Sequence, residues 1–248
     1  MFPLRDDNPT LLTPIVTVAL LLANVLVWLY VQGAGFSLQV MGESICQLGM
    51  IPAELTGLTG SYGGVELSEG VPVCRFGGLT TATALTSMFL HGSWVHLLGN
   101  MWFLWLFGNN IEDSMGHGRF LVFYVLVGLA ASAAHVLSAP GSVIPTVGAS
   151  GAISGIMGAY LLLYPRVRIH TLFVFFILLR VIPVPAWLVL ILWFGLQVLA
   201  GYTTPVDTGG VAVWAHVGGF VAGVVLIKLF AKRDLLAARQ ARSRIQQV

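Results

Sequence analysis

The chain alternates long apolar runs with short segments rich in charge, glycine or proline. Residues 14–32 (PIVTVALLLANVLVWLYVQ) form the first run. Ser93 reads as the N-cap of a second, 93–111. The third covers 118–138 and is closed by a loop holding Pro140, Gly141 and Pro145. The fourth starts near Ser150 and must stop at Pro165; the fifth is placed at 185–201, after Pro183 and Pro185, and the sixth at 211–231. Runs of this length are helices able to cross a hydrocarbon core of ~30 Å, which needs ~20 apolar residues. The expectation is an all-α polytopic membrane protein with six transmembrane helices. Residues 1–13 would be a short N-terminus, 14–231 the helical domain and 232–248 a basic tail. A large polar, glycine-rich loop, about 33–85, would join helices 1 and 2.

Two stretches fit this plan poorly. Residues 171–182 (TLFVFFILLRVI) are apolar but too short to span, with Arg180 near their end, and read as an interfacial or re-entrant piece. The tail from Lys232 reads either as an amphipathic helix lying on the membrane or as a solvated end.

Composition supports the membrane reading. Hydrophobic residues make up 57% of the 248 and charged residues 9%, with a mean hydropathy of +0.88, whereas a soluble domain carries about 25% charged residues. The formal net charge of +2 says little about partners, and no nucleic-acid partner is expected. The positions of the basic residues say more. With the N-terminus inside, eleven fall on inner segments (Arg5, Arg119, Arg166, Arg168, Arg180, Lys228, Lys232, Arg233, Arg239, Arg242, Arg244) and Arg75 alone falls outside. That bias orients both termini toward the cytoplasm. The first 13 residues hold two acids and lack a basic signal pattern, so the first run reads as a retained helix. Cys46 and Cys74 share the outer loop, where an oxidising exterior permits either a disulfide or two free thiols.

Polar groups at membrane depth need a reason. Run two carries His96 and Asn100, four apart and so on one helical face. Run four opens with Gly148-Ala149-Ser150-Gly151, and run six carries His216. Singly, each is more simply packing material or a bonded interior residue. Runs two, four and six all pass from outside to inside, however, which places His96, Asn100 and His216 roughly 5–10 Å below the outer surface. A helix from Ser150 to Pro165 is only about 22 Å long, so Ser150 also starts some 8 Å down if the inner end reaches the face. The loop before it then dips inward, which is tolerated only inside protein or beside a water-filled cavity.

These residue types suit acyl transfer. Ser150 is a nucleophile in need of a base, and His216 is the candidate. The free amides at the start of a helix, with His96 and Asn100, could stabilise an oxyanion. No carboxylate lies at this depth, which leaves a Ser–His dyad. Gly151 and Gly155 on run four, and Gly219 and Gly223 on run six, are small-xxx-small pairs that let backbones approach.

The motifs together resemble the rhomboid intramembrane serine proteases: Gly148-Ala149-Ser150-Gly151 with G-x-S-G, Ala215-His216-Val217-Gly218-Gly219 with Gly223 with A-H-x-x-G-x-x-x-G, and His91 through Asn100 with the histidine-rich start of the family's second span. Glu112 through Met115, with Gly116, Arg119 and Phe120, is similar to its E-x-x-x-G-x-x-R-F turn. The close resemblance covers roughly 86–231. It implies Ser150 as nucleophile, His216 as general base, and His96 and Asn100 lining the oxyanion hole with the Ser150 amide. Glu112 and Arg119 would be structural, tying the turn between spans two and three. It also implies cleavage of single-span membrane proteins in or beside their transmembrane segment, without metal or cofactor. The setting would be a bacterial inner or plasma membrane, with the active site opening outward. Expected partners are the lipid bilayer and membrane-anchored protein substrates. A Trp-Arg pair found in the outer loop of some members is absent from 33–85.

Two other readings differ in class. A multispan transporter would use the histidines as a proton or substrate path, but the internal repeat expected of one is not visible. A catalytically silent rhomboid-like binding protein should lack Ser150 or His216, and both are present. A zinc protease would carry H-E-x-x-H, which the sequence does not contain.

Overall fold

A computed structural model describes residues 2–60, 63–65, 74–77, 81–175, 178–203 and 212–245. Strand β1 (Phe2–Asp6) precedes helix α1 (Ile15–Leu26), which runs on through a π-helical turn at Val27–Val31. Helices α2 (Leu38–Leu48) and α3 (Pro52–Thr56) follow, then a two-residue ladder of β2 (Gly64–Val65) with β3 (Cys74–Arg75), and the short helix α4 (Thr83–Thr86). Helix α5 (Trp94–Phe103), a π turn at Leu104–Gly108 and α6 (Asn109–Met115) are continuous. After them come α7 (His117–Ser138), α8 (Ser150–Leu163), strands β4 (Arg168–Phe175) and β5 (Leu178–Pro185), α9 (Ala186–Thr203), α10 (Val213–Phe230) and α11 (Arg233–Ile245).

Every apolar run marked in the sequence holds a helix; residue 211, the expected start of the sixth, lies outside the described residues. Among those residues, three helices are long and apolar enough to cross a membrane: α7, α9 and α10. Helix α1 with its π turn and helix α8 are shorter apolar helices. Ser93 caps α5 as its residue type suggests, its Oγ accepting from the His96 amide at 3.1 Å.

The start of α1 has no side-chain cap of its own. A carboxylate from another element supplies one. Glu112, fully buried on α6, accepts from the amides of Val16 (2.9 Å) and Thr17 (2.7 Å) and from Thr17 Oγ1 (2.7 Å). A negative charge at a helix N-terminus satisfies otherwise unpaired donors and meets the positive end of the dipole. Its neighbour Asp113 accepts from the amides of Leu11 and Leu12 and pairs with Arg239 at 3.2 Å.

The structure corrects the all-α expectation. Strands β1, β4 and β5 form an antiparallel sheet in the order β1-β4-β5, with Asp6 opposite Ile169 and Ile169 opposite Val184. The segment 171–182 is therefore the body of a hairpin, although residues 176 and 177 lie outside the described residues. Its β-branched and aromatic residues favour strands. Pro183 and Pro185 bar helix and are tolerated because β5 is an edge strand. The tail differs too: α11 docks on the protein. Buried Arg239 reaches Asn110, Tyr164 Oη (2.6 Å) and Asn8 Oδ1 (2.8 Å). Residues 246–248 of the tail lie outside the described residues.

Helix α8 is the centre of the bundle, buried without a break from Gly151 to Tyr160 and packed between α7 and α10. A helix apolar on all sides has no face for water. Helices α7, α9 and α10 turn large side chains such as Leu126, Leu196 and Val225 outward, the surface of an integral membrane protein.

Candidate active site

Ser150 is the first residue of α8. The segment before it is held at several points: Met50 and Thr146 exchange backbone hydrogen bonds (3.0 and 2.7 Å), and the Gly148 amide donates to the Ser87 carbonyl at 2.8 Å. Gly148 has φ +129°, and a Cβ there would come within 2.9 Å of the His96 ring. Glycine is required twice over, by its backbone angle and by the imidazole against it.

His216 lies one turn into α10, and its Nε2 is 2.7 Å from Ser150 Oγ. The two meet because α8 and α10 touch backbone to backbone. A Cβ at Gly219 would collide with the Gly151 carbonyl oxygen, and one at Gly223 with that of Gly155. Gly151 and Gly155 also have α7 against them, with Ala131 and Val127 in the place of a Cβ. The two glycine pairs read from the sequence thus face each other in one seam. On its far side His216 Nδ1 is 2.8 Å from Gln197 Oε1 of α9, and the Trp193 ring lies 5.8 Å away between centroids.

Ser150, His216, His96, Asn100, Gly148 and Trp193 line one cavity of about 590 Å³. Asn100 Nδ2 is buried there with no hydrogen-bond partner among the described residues. A buried amide donor facing a cavity without an acceptor is costly unless something brings one. The four polar residues singled out by depth therefore share a single chamber. Among the described residues, no group of three or more His, Cys, Asp or Glu is placed to hold a metal ion.

Glu112 and Arg119 do not bond each other. Glu112 serves α1 and also meets His117 Nδ1, while Arg119 Nη1 reaches the Phe230 carbonyl at the end of α10, 3.2 Å away. Cys46 and Cys74 are joined in a disulfide, with Cα atoms 4.9 Å apart, fastening α2 to β3. Sequence reasoning missed Gln197 and Arg239. A lone amide in an apolar run was a signal for the first; nothing in the sequence singled Arg239 out from the other basic residues of the tail.

A profile of the Rhomboid domain matches residues 79–233, more than half of the chain. The chain belongs to the rhomboid family. Among its relatives, this rhomboid is 34% identical over 139 residues to the protein named rhomboid protease GluP of Bacillus subtilis, a match covering 56% of this chain and 24% of that protein. It is 32% identical over 142 residues to RHOMBOID-like protein 5 of Arabidopsis thaliana, covering 57% and 41%. Over 148 residues it is 32% identical to the mitochondrial rhomboid protein 1 of Saccharomyces cerevisiae, covering 56% and 39%. The matches span well under half the length of these relatives. One of these relatives is bacterial, one is a plant protein and one is named mitochondrial.

Proposed function

We propose that this rhomboid is an intramembrane serine endopeptidase that cleaves single-span membrane proteins in or near their transmembrane segment. The observation that carries the reading is the 2.7 Å contact of His216 Nε2 with Ser150 Oγ, at the half-buried start of α8 and open to the cavity. His216 takes the Oγ proton as Oγ attacks the scissile carbonyl carbon. The tetrahedral oxyanion is met by the Ser150 amide and the side chains of Asn100 and His96. On collapse the peptide C–N bond breaks, and the His216 proton goes to the leaving amine. Water then adds to the acyl-enzyme ester, giving one proton to His216; this proton returns to Oγ as the carboxylic acid leaves. No residue in this sequence of steps calls for a metal or cofactor.

The reading includes six membrane spans: α1 with its π turn, the α5–α6 rod, α7, α8, α9 and α10. Both termini would be cytoplasmic, in a bacterial inner or plasma membrane, with the cavity open to the outer side. The eleven-to-one distribution of basic residues supports this orientation. In the test, the full chain is reconstituted in liposomes with a single-span substrate, and Ser150 is probed with a fluorophosphonate. Cleavage and labelling are expected in the wild type and in neither Ser150→Ala nor His216→Ala. Full cleavage by Ser150→Ala would sink the dyad. Orientation is read by labelling Pro140→Cys and Gln240→Cys, which should react from opposite sides.

A further inference from the structure

We infer that Gln197 is a positioning residue of the dyad: its side-chain carbonyl holds the proton of His216 on Nδ1, leaving Nε2 free to accept from Ser150. The inference rests on the dyad reading above. For His216 to act as a base toward Ser150, Nε2 must carry a lone pair, so a neutral imidazole must carry its hydrogen on Nδ1. A buried Nδ1–H needs an acceptor. Gln197 Oε1 stands 2.8 Å from Nδ1, while Ser150 Oγ stands 2.7 Å from Nε2. The three groups form one chain, from the Ser150 hydroxyl through the imidazole to the amide carbonyl.

Helix α9 gives no other reason for an amide at this place. Of its residues, Gln197 alone carries an amide or a charge, and the flanking Leu196 and Leu199 face outward. A polar side chain in such a helix is costly unless it finds a partner. Trp193, one turn earlier and so on the same face, packs on the His216 ring. One helix face thus sets both the plane of the imidazole and its tautomer. Soluble serine hydrolases use a carboxylate for the second task. Inside a membrane an ionised carboxylate is expensive, whereas a neutral amide supplies the acceptor without a charge. The same carbonyl continues to accept from Nδ1–H after His216 has taken the serine proton.

The test compares Gln197→Leu, which removes the acceptor at similar volume, with Gln197→Glu, which restores an acceptor oxygen. Gln197→Met replaces the leucine variant should that one fail to fold. Expected in the leucine variant is a fall in kcat of about 10- to 100-fold with KM within about twofold, recovered in large part by glutamate. Nitrogen-15 NMR of His216 should show a protonated Nδ1 and bare Nε2 in the wild type, shifting toward the Nε2–H tautomer with leucine. An unchanged tautomer in the leucine variant, or a wild-type kcat, overturns the inference while fluorophosphonate labelling of Ser150 leaves the dyad standing. Failure of the wild type to label or cleave removes the dyad instead. The NMR measurement still decides the Gln197–His216 bond in that case.

Discussion

The carbonyl oxygen of Gly155 occupies the place where a Cβ on Gly223 would stand. The neighbouring atoms are backbone and cannot rotate away, so any side chain at 223 separates α8 from α10. Ser150 and His216 ride on those two helices. Gly223→Val is expected to reduce thermal stability and to lower kcat by about 10²-fold, since misplacements near 1 Å cost that much. Gly118→Ala, where a Cβ meets nothing within 4 Å, should leave both unchanged. Proteolysis assays and thermal unfolding of both variants check this, and a wild-type rate in Gly223→Val would refute the seam as the device that sets dyad geometry.

Asn100 Nδ2 is buried at the cavity without an acceptor among the described residues. If the oxyanion is what it awaits, the bond forms only as the reaction proceeds. Asn100→Ala should then lower kcat by about 10²–10³-fold and leave KM nearly unchanged. A rise in KM at constant kcat would assign Asn100 to substrate binding instead.

Asp6, in β1 outside the spans, is pushed up to about 6 by burial, although Tyr160, Asn110 and Arg239 oppose the shift or bond its carboxylate. The folded chain thus holds the Asp6 proton where an unfolded one has released it. Stability from this group is fullest below about pH 4 and is lost as pH rises through 6. Asp6→Asn should remove that loss, so its Tm advantage over wild type grows between pH 4 and 6. Paired melts across that range measure it; a constant difference would show that Asp6 does not titrate there.

The Cys46–Cys74 bond closes a separation of 28 residues. Loop-closure entropy for such a ring is about 3–4 kcal/mol. A reductant, or Cys46→Ser with Cys74→Ser, should lower the thermal midpoint by several degrees. An unchanged midpoint would mean that α2 is held in place equally well by other contacts, such as Thr86 Oγ1 of α4 to the Leu48 carbonyl.

Legibility in the sequence followed the range of the forces involved. Helix starts and stops are local, and Ser93 and Pro165 could be read directly. The glycine pairs could also be read, because close helix approach permits little else at those positions. The hairpin 168–185 was harder: a short apolar run has no period that separates strand from buried helix, and its partner β1 lies over 160 residues away in sequence. The family resemblance implies a structural role for Glu112, but that it caps α1 depends on a contact nearly a hundred residues distant.

By itself, the sequence determined that the chain belongs in lipid, and it led to the expectation that Ser150, His216, His96 and Asn100 share one depth. Scarcity makes this possible, since in an apolar chain each polar residue stands out and helix rise converts position into depth. Depth is one coordinate of three. Only the tertiary structure decided which faces meet: His216 against Ser150 across a seam of glycines, Asn100 turned into the same chamber, and Gln197 behind the imidazole. Those relations depend on how helices rotate and pack against one another, which side-chain volume at the seam controls and one-dimensional spacing does not record.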